Sequence, residues 1–494
     1  MGRYTHDIII LGGGSGGLVA ASGCSQLGMK TLLIEKEHLG GDCLYYGCVP
    51  SKSLLHSAEA AWAIRSAPEL GLPEVTFPAV DLGKVTGRVQ DVIGSIAVHD
   101  SPERFESLGA EVVLGSPRFV SPHEIEVDGN RYSAKSIVVS TGSSPRSLPI
   151  PGLDEVGYLT NLDIFSMKEL PKQLVVIGGG PIGSEMTQAF TRLGSKVTLL
   201  DVAPQILINE DADMAGIVQE RLEAEGAAVK TGISIEKVER SGQGVRVILK
   251  DDIAIEADKI LVAAGRQGNT EGLGLDKAGV KVERSFIPVD AKLRTSQKHI
   301  YAIGDVNGHL LFTHVAGAEA SVIVRRLGLH IGGSMSYDNV PWVTYTSPEI
   351  ASIGYNESRA TKAGIKYRVV QESFSGNDRA HAEAATNGKI KVLVDKKDRV
   401  IGAQIAALHA GEMIVPYIYA VQNKWKLNKL MSPIYPYPTL AEMLKKPASG
   451  YYGPKLFNDK VRRILKFLFG YRGTGPTTTA GTAGPSDTDQ EHTS

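Results

Sequence analysis

The chain carries the same 28-residue pattern twice, 166 positions apart, and this repeat restricts its fold more than any other feature. Residues 8–35 read IIILGGGSGGLVAASGCSQLGMKTLLIE, and residues 174–201 read LVVIGGGPIGSEMTQAFTRLGSKVTLLD. Gly12, Gly14 and Gly17 of the first copy match Gly178, Gly180 and Gly183 of the second, and Glu35 matches Asp201. Each copy reads as an apolar strand, a glycine turn, a helix ending at Leu-Gly, and a second strand closing on an acid. That is a βαβ unit twice over. In such a unit the first glycine permits the tight turn. The second lets backbone N–H groups approach a pyrophosphate, and the third lets helix and strand pack closely. The closing acid accepts hydrogen bonds from a ribose diol. A lone copy also fits a glycine-rich packing turn with a solvated strand-end acid; two in one register point to two dinucleotide sites. A carboxylate at Asp201 repels a ribose 2′-phosphate, so the second site should prefer NAD(H) to NADP(H).

Length and composition bound the rest. A chain of 494 residues is long enough for three or four domains. Its 53 basic and 54 acidic side chains leave a net charge of −1, which removes any composition-level case for a nucleic-acid partner. Three cysteines exclude a disulfide-stapled scaffold and favour a reducing compartment, here expected to be the cytoplasm. The start of the chain runs into Asp7-Ile8-Ile9-Ile10 and reads as neither a signal nor a transit peptide. No apolar run approaches the ~18 residues that span a bilayer. Further strand-like runs end at Thr141-Gly142, at Gly265 and at Gly304-Asp305. From about Tyr337 the pattern shifts to hairpin-like runs, and residues 473–494, rich in Thr, Gly, Pro and Asp, are expected to be disordered.

Just beyond Glu35 lies GGDCLYYGCVPSK, residues 40–52. Cys43 and Cys48 are five apart, so near a helix start their sulfurs can come within bonding range. A helix N-terminus favours thiolate over thiol, which makes such a pair reactive. Buried small residues, or two ligands of an incomplete metal site, are the alternatives. A tetrahedral zinc site needs four ligands, and Cys24 is the one cysteine left, on a helix where alanine would serve. A redox-active disulfide is the favoured reading, with no resident metal.

Two dinucleotide fingerprints, GGDCLYYGCVPSK after the first, and the Gly304-Asp305 element together resemble the pyridine nucleotide–disulfide oxidoreductases, over about residues 6–450. This resemblance implies an α/β chain with two Rossmann-like dinucleotide-binding domains and an α+β C-terminal dimerisation domain. The implied order is an FAD-binding part (1–150), an NAD-binding domain (151–275), a second FAD-binding part (276–335) and a dimer-interface domain (336–455). By the same resemblance, Gly12, Gly14, Gly17, Glu35, Thr141, Gly142 and Asp305 hold FAD. Thr313 and His314 open a helix facing the flavin. Gly178, Gly180, Gly183, Asp201, Gly265 and Arg266 hold NAD(H), and Lys52 and Glu185 form a buried ion pair beside the flavin. The implied mechanism is a relay in which NADH reduces the flavin and the flavin reduces the disulfide. Cys48 is then the flavin-side thiolate and Cys43 the interchange thiol facing substrate.

The pattern departs from the family where its disulfide reductases carry a His-Pro-Thr stretch and a glutamate. In those enzymes the histidine, from the partner subunit, moves the proton of the interchange thiol. Here Tyr435-Pro436-Tyr437-Pro438-Thr439-Leu440-Ala441-Glu442 keeps the glutamate as Glu442 but places Tyr437 at the histidine position. Tyrosine, with an ordinary pKa near 10, is a poor base at neutral pH. The expected protein is thus a homodimeric, NADH-linked flavoprotein passing electrons through Cys43 and Cys48 to a sulfur-containing or other acceptor. The alternatives are a dihydrolipoamide dehydrogenase, a mercuric reductase-like enzyme for a soft metal ion, and a non-catalytic redox sensor. Residues 456–472 read as a basic amphipathic helix that can lie peripherally on a membrane or dock on its own dimer.

Overall fold

The computed structural model describes residues 4–250, 253–473 and 475. They form two compact units: one of residues up to 204 together with 225–337, the other of residues 205–224 together with those from 338 on.

In the first unit, parallel strands lie in the order 110–114, 31–35, 6–11, 130–139 and 300–302, with the hairpin strands 118–121 and 124–127 extending the edge of 130–139. The apolar runs that form them are continuous because both faces are covered. Ile9, Leu11, Leu32 and Ile34 pack on one side, and Ile8, Ile10 and Leu33 on the other. The second copy of the repeat builds a matching parallel sheet in the order 228–230, 196–200, 173–177 and 259–262. In both sheets the strand before the glycine turn is central, between the strand that closes on the acid and a later one. Both turns therefore open at the carboxyl edge where strand order reverses, the usual place for a dinucleotide in such sheets. A three-stranded antiparallel sheet, 235–241, 244–249 and 254–257, supplies Val245 and Val247 to the core around Val175 and Leu200.

The second unit is built on a five-stranded antiparallel sheet in the order 342–344, 349–354, 400–407, 389–394 and 368–373. Phe374, Ile390, Ile405 and Tyr417 lie in its core, and the Tyr417 hydroxyl donates to the Leu444 carbonyl at 3.0 Å. Residues 205–224, which fall within the span expected for an NAD-binding domain, 151–275, cluster with this unit. Lys391, buried in the sheet, binds the carboxylates of Asp211 (3.3 Å), Asp213 and Glu357 (2.7 Å). Buried Glu210 accepts from Ser352, Gln404 and Trp342. Residues 456–472, expected as a basic amphipathic helix, begin at a boundary between two helices. The helix Lys446–Leu456 ends there, and Asn458 caps a new one, Asp459–Phe469, by accepting from the Val461 amide at 3.0 Å. The tail expected to be disordered lies outside the described residues, Gly473 and Gly475 excepted.

Candidate active site

The two glycine turns are built alike. Gly12 and Gly178 have φ of +105° and +110°, a region that favours glycine, and a Cβ on either would strike the neighbouring strand's end. A Cβ on Gly17 would come within 1.8 Å of the Gly12 carbonyl, and one on Gly183 within 1.8 Å of the Gly178 carbonyl. The middle glycines differ. Around Gly14 the nearest atom to an added Cβ is 3.9 Å away, and around Gly180 there is none within 4 Å. Each turn thus leaves open the one side on which a pyrophosphate would approach the helix N-terminus. The acids serve the turns directly. Buried Glu35 accepts from the Gly13 amide at 2.7 Å and the Glu37 amide at 2.9 Å. Asp201 accepts from the Gly179 amide and, at 2.7 Å, from the Ala203 amide. Each carboxylate keeps lone pairs for a ribose.

Cys43 lies on a short helix, Gly41–Tyr45, and Cys48 is the first residue of the 18-residue helix Cys48–Arg65. Both are free thiols, and so is Cys24, which is buried as a packing residue with its thiol pushed up to about 11. The pair is electrically unequal. The Cys48 thiol is lowered to about 6, chiefly by the hydrogen bond it accepts from Cys43; partial burial opposes this. The Thr313 hydroxyl, 3.3 Å from its sulfur, and the Lys52 ammonium, one turn along the helix, lower it further. Its place at a helix N-terminus acts the same way. Donation to Cys48, followed by burial, raises the Cys43 thiol far above the ordinary range. At neutral pH the reduced pair is therefore a Cys48 thiolate and a Cys43 thiol.

Lys52 Nζ meets Glu185 Oε2 at 2.9 Å, joining the thiol helix to the helix of the second glycine turn, Pro181–Leu193. Only the acid of this expected buried pair is deeply placed: the Glu185 side chain is 4% exposed and that of Lys52 is 37% exposed. Thr313 opens the helix Thr313–Ile323 as expected, with His314 stacked on Phe312, but the Thr313 hydroxyl is turned to the Cys48 sulfur.

Arg266, expected to hold NAD(H), donates to Ser143 across an antiparallel strand contact between residues 266–268 and 143–145. Its guanidinium lies 3.1 Å from Asp42 and 3.8 Å from Asp305. Gly265 and Arg266 also line a small cavity with Ile182 and Met186 of the second glycine-turn helix, so the segment touches both halves. Burial raises the Asp305 carboxyl, while the Ser143 hydroxyl donates to it at 2.7 Å. Behind it, buried Glu319 accepts from the Gly304 amide, from Asn307 (2.9 Å) and from the Tyr337 hydroxyl, fixing the turn that presents Asp305. Thr141 and Gly142 are held by Asn269, whose side chain donates to the Thr141 carbonyl at 2.8 Å.

Asp42, Ser143, Asn161, Asn269 and Glu319 have no local sequence signature. Asn161 braces the cysteine loop by donating to Asp42 and to the Tyr46 carbonyl, 115 residues away. In the second unit, exposed Tyr437 donates to Asp378 at 2.8 Å, a bond that raises its phenol still higher. Glu442 pairs with Lys445 at 3.0 Å, and its charge also acts to raise the Tyr437 phenol.

The family model "Pyridine nucleotide-disulphide oxidoreductase" matches residues 6–320, and that family's dimerisation domain matches residues 340–448. A dihydrolipoyl dehydrogenase from Thermus scotoductus is 38% identical over 91% of this chain and 98% of its own length. A mercuric reductase from Bacillus cereus is 33% identical over 90% of this chain and 71% of its own. Among solved structures, LpdA from Mycobacterium tuberculosis superposes with a TM-score of 0.82 at 30% identity, covering 90% of this chain and 98% of that one. The Cu(II) complex of the HOCl-induced flavoprotein disulfide reductase RclA from Escherichia coli gives 0.81 at 27% identity, covering 91% and 99%.

Proposed function

This chain belongs to the pyridine nucleotide–disulfide oxidoreductases, homodimeric flavin enzymes that bind FAD and NAD(H), and we propose that it carries electrons from NADH to a Cys43–Cys48 disulfide and on to an acceptor met by Cys43. The observation that carries this reading is the geometry of the two thiols: Cys43 on the short helix Gly41–Tyr45 and Cys48 at the N-terminus of the next helix, its sulfur 3.3 Å from the Thr313 hydroxyl. The first glycine turn, Glu35 and Asp305 would hold FAD, which when bound would supply two-electron transfer between a nicotinamide and a sulfur. Opening the disulfide takes two electrons and one proton, the equivalent of one hydride. It leaves the proton on Cys43 and the negative charge on Cys48, the distribution that the local hydrogen bonds favour. Lys52 and Thr313 steady that charge. Asp201 favours NADH by disfavouring a 2′-phosphate.

The acceptor is constrained by the residue that stands where the family's disulfide reductases carry their proton-moving histidine. Cys43 must lose it to attack a disulfide, and Tyr437, raised by Asp378, is a donor and not a base at neutral pH. A substrate disulfide therefore turns over slowly. An acceptor that binds sulfur without demanding a protein base, such as a soft metal ion, suits the site better. The similarity to a mercuric reductase adds support to that second reading. The low cysteine count favours a reducing, cytoplasmic setting. The test is NADH oxidation by the purified flavoprotein against lipoamide, glutathione disulfide, quinones and mercuric ion. The proposal expects turnover with at least one acceptor that disappears in Cys43→Ser. Undiminished turnover in that variant with every acceptor overturns the thiol route.

A further inference from the structure

Beyond the redox site, the helix Asp459–Phe469 stands out because none of its residues is buried. Val461, Ile464, Leu465 and Leu468 recur at helical spacing and share one face, with Phe457 one turn before them. Phe457 is 84% exposed and Phe467 is 88% exposed, a poor arrangement for a surface meant only for water. The remaining positions carry Lys460, Arg462, Arg463 and Lys466, with Phe467 and Phe469 among them, against a single acid, Asp459.

Two occupants could cover such a face. Docking against a second copy would bring two surplus-positive helices together, which costs energy at any apolar seam they share. The family's dimerisation domain also ends at residue 448, before this helix begins, so the interface common to the family does not require it. An anionic bilayer surface meets both halves of the pattern. It accepts the Leu, Ile and Phe side chains at the acyl boundary, while the Lys and Arg stems reach its phosphates and carboxylates. Eleven residues of helix extend about 16 Å, too short to cross a bilayer but sufficient to lie in its surface plane.

We propose that Asp459–Phe469, with Phe457, is a peripheral anchor that seats the enzyme on anionic membrane surfaces. The test mixes the full-length holoprotein with sedimentable vesicles of phosphatidylcholine containing about 30 mol % phosphatidylserine. The amount pelleted is read from flavin absorbance. The expected result is pelleting at low salt that falls at least about threefold in about 0.5 M salt. The double variant Leu465→Asp/Leu468→Asp should stay in the supernatant while keeping its flavin and its dimeric sedimentation coefficient. Arg463→Glu/Lys466→Glu should bind less at low salt and lose most of its salt dependence. The proposal is overturned if the intact protein remains in the supernatant, or if it pellets equally with pure phosphatidylcholine. It is also overturned if Leu465→Asp/Leu468→Asp converts dimer to monomer, because the face would then be covered by a second copy.

Discussion

Removing the Thr313 hydroxyl tests the electrostatics of the thiol pair with one atom's change. Thr313→Val keeps the side chain's shape and deletes the donor 3.3 Å from the Cys48 sulfur. A hydrogen bond to a charged acceptor is worth about 1.5–3 kcal/mol at ordinary length. This one is long and reaches an exposed sulfur, so about 1 kcal/mol is the appropriate scale. With 1.36 kcal/mol per pKa unit, the Cys48 thiol should rise by about 0.7 unit from its starting value of about 6. Cys43→Ala deletes the largest lowering contribution and should raise it further, whereas Thr313→Ser should restore the original value. The assay is the rate of iodoacetamide alkylation of the reduced protein against pH, with Cys43 and Cys48 peptides resolved by mass. Only the thiolate reacts, so Cys48 alkylation should fade as pH drops through about 6, and Cys43 should stay inert until far higher pH. The same depression sets the sign of a stability effect. Stabilisation from the Cys48 thiolate is complete above its unfolded value near 9 and is lost as pH falls through about 6. If Thr313→Val and Cys43→Ala both leave the Cys48 profile within 0.2 unit of wild type, as a rough limit of the assay, the assignment of charge to Cys48 fails.

Three further outcomes follow from the same geometry. NADH should reduce the flavin faster than NADPH in stopped-flow experiments, and Asp201→Ser should narrow the difference; equal rates for the wild type would sink the Asp201 argument. Gly183→Ala should unfold or strongly destabilise the protein, because its Cβ would lie 1.8 Å from the Gly178 carbonyl, whereas Gly180→Ala should melt normally but show a raised KM for NADH. Tyr437→His should raise lipoamide turnover toward the low end of the roughly 10²–10⁴-fold range of general acid–base help, since Glu442 is engaged by Lys445. Tyr437→Phe should leave flavin reduction by NADH unchanged, and a slowed reductive half-reaction would contradict its place outside the hydride path.

The twofold repeat was readable because backbone geometry dictates it. Gly12 and Gly178 need positive φ, and Gly17 and Gly183 need a missing side chain, so the spacing is written into residue type. The strands were readable for a similar reason: both sheet faces are covered, so the runs are apolar without a break. The partners of Arg266, Ser143 and Asp42, lie more than a hundred residues earlier and leave no mark on its sequence neighbours. Asn161 acts through contacts more than a hundred residues away and Asp378 through one 59 residues on, and neither carries a local pattern. The break between the last two helices was legible in principle. Asn458 before Asp459 is a capping pair, but the basic and apolar periodicity running across it concealed the stop.

The excursion of residues 205–224 into the second unit has a consequence for how the chain is made. Met214, Ile217 and Val218 leave the ribosome long before residues 349–354 and 400–407, the strands beside which their helix packs. At roughly 5–20 residues per second, the wait for Gln404, the partner of Glu210, lasts on the order of 10–40 seconds. Throughout that interval the amphipathic helix Ala212–Ala224 lacks the strands its apolar side packs on, and Asp211 and Asp213 lack Lys391, which becomes their ion-pair partner only once synthesis catches up.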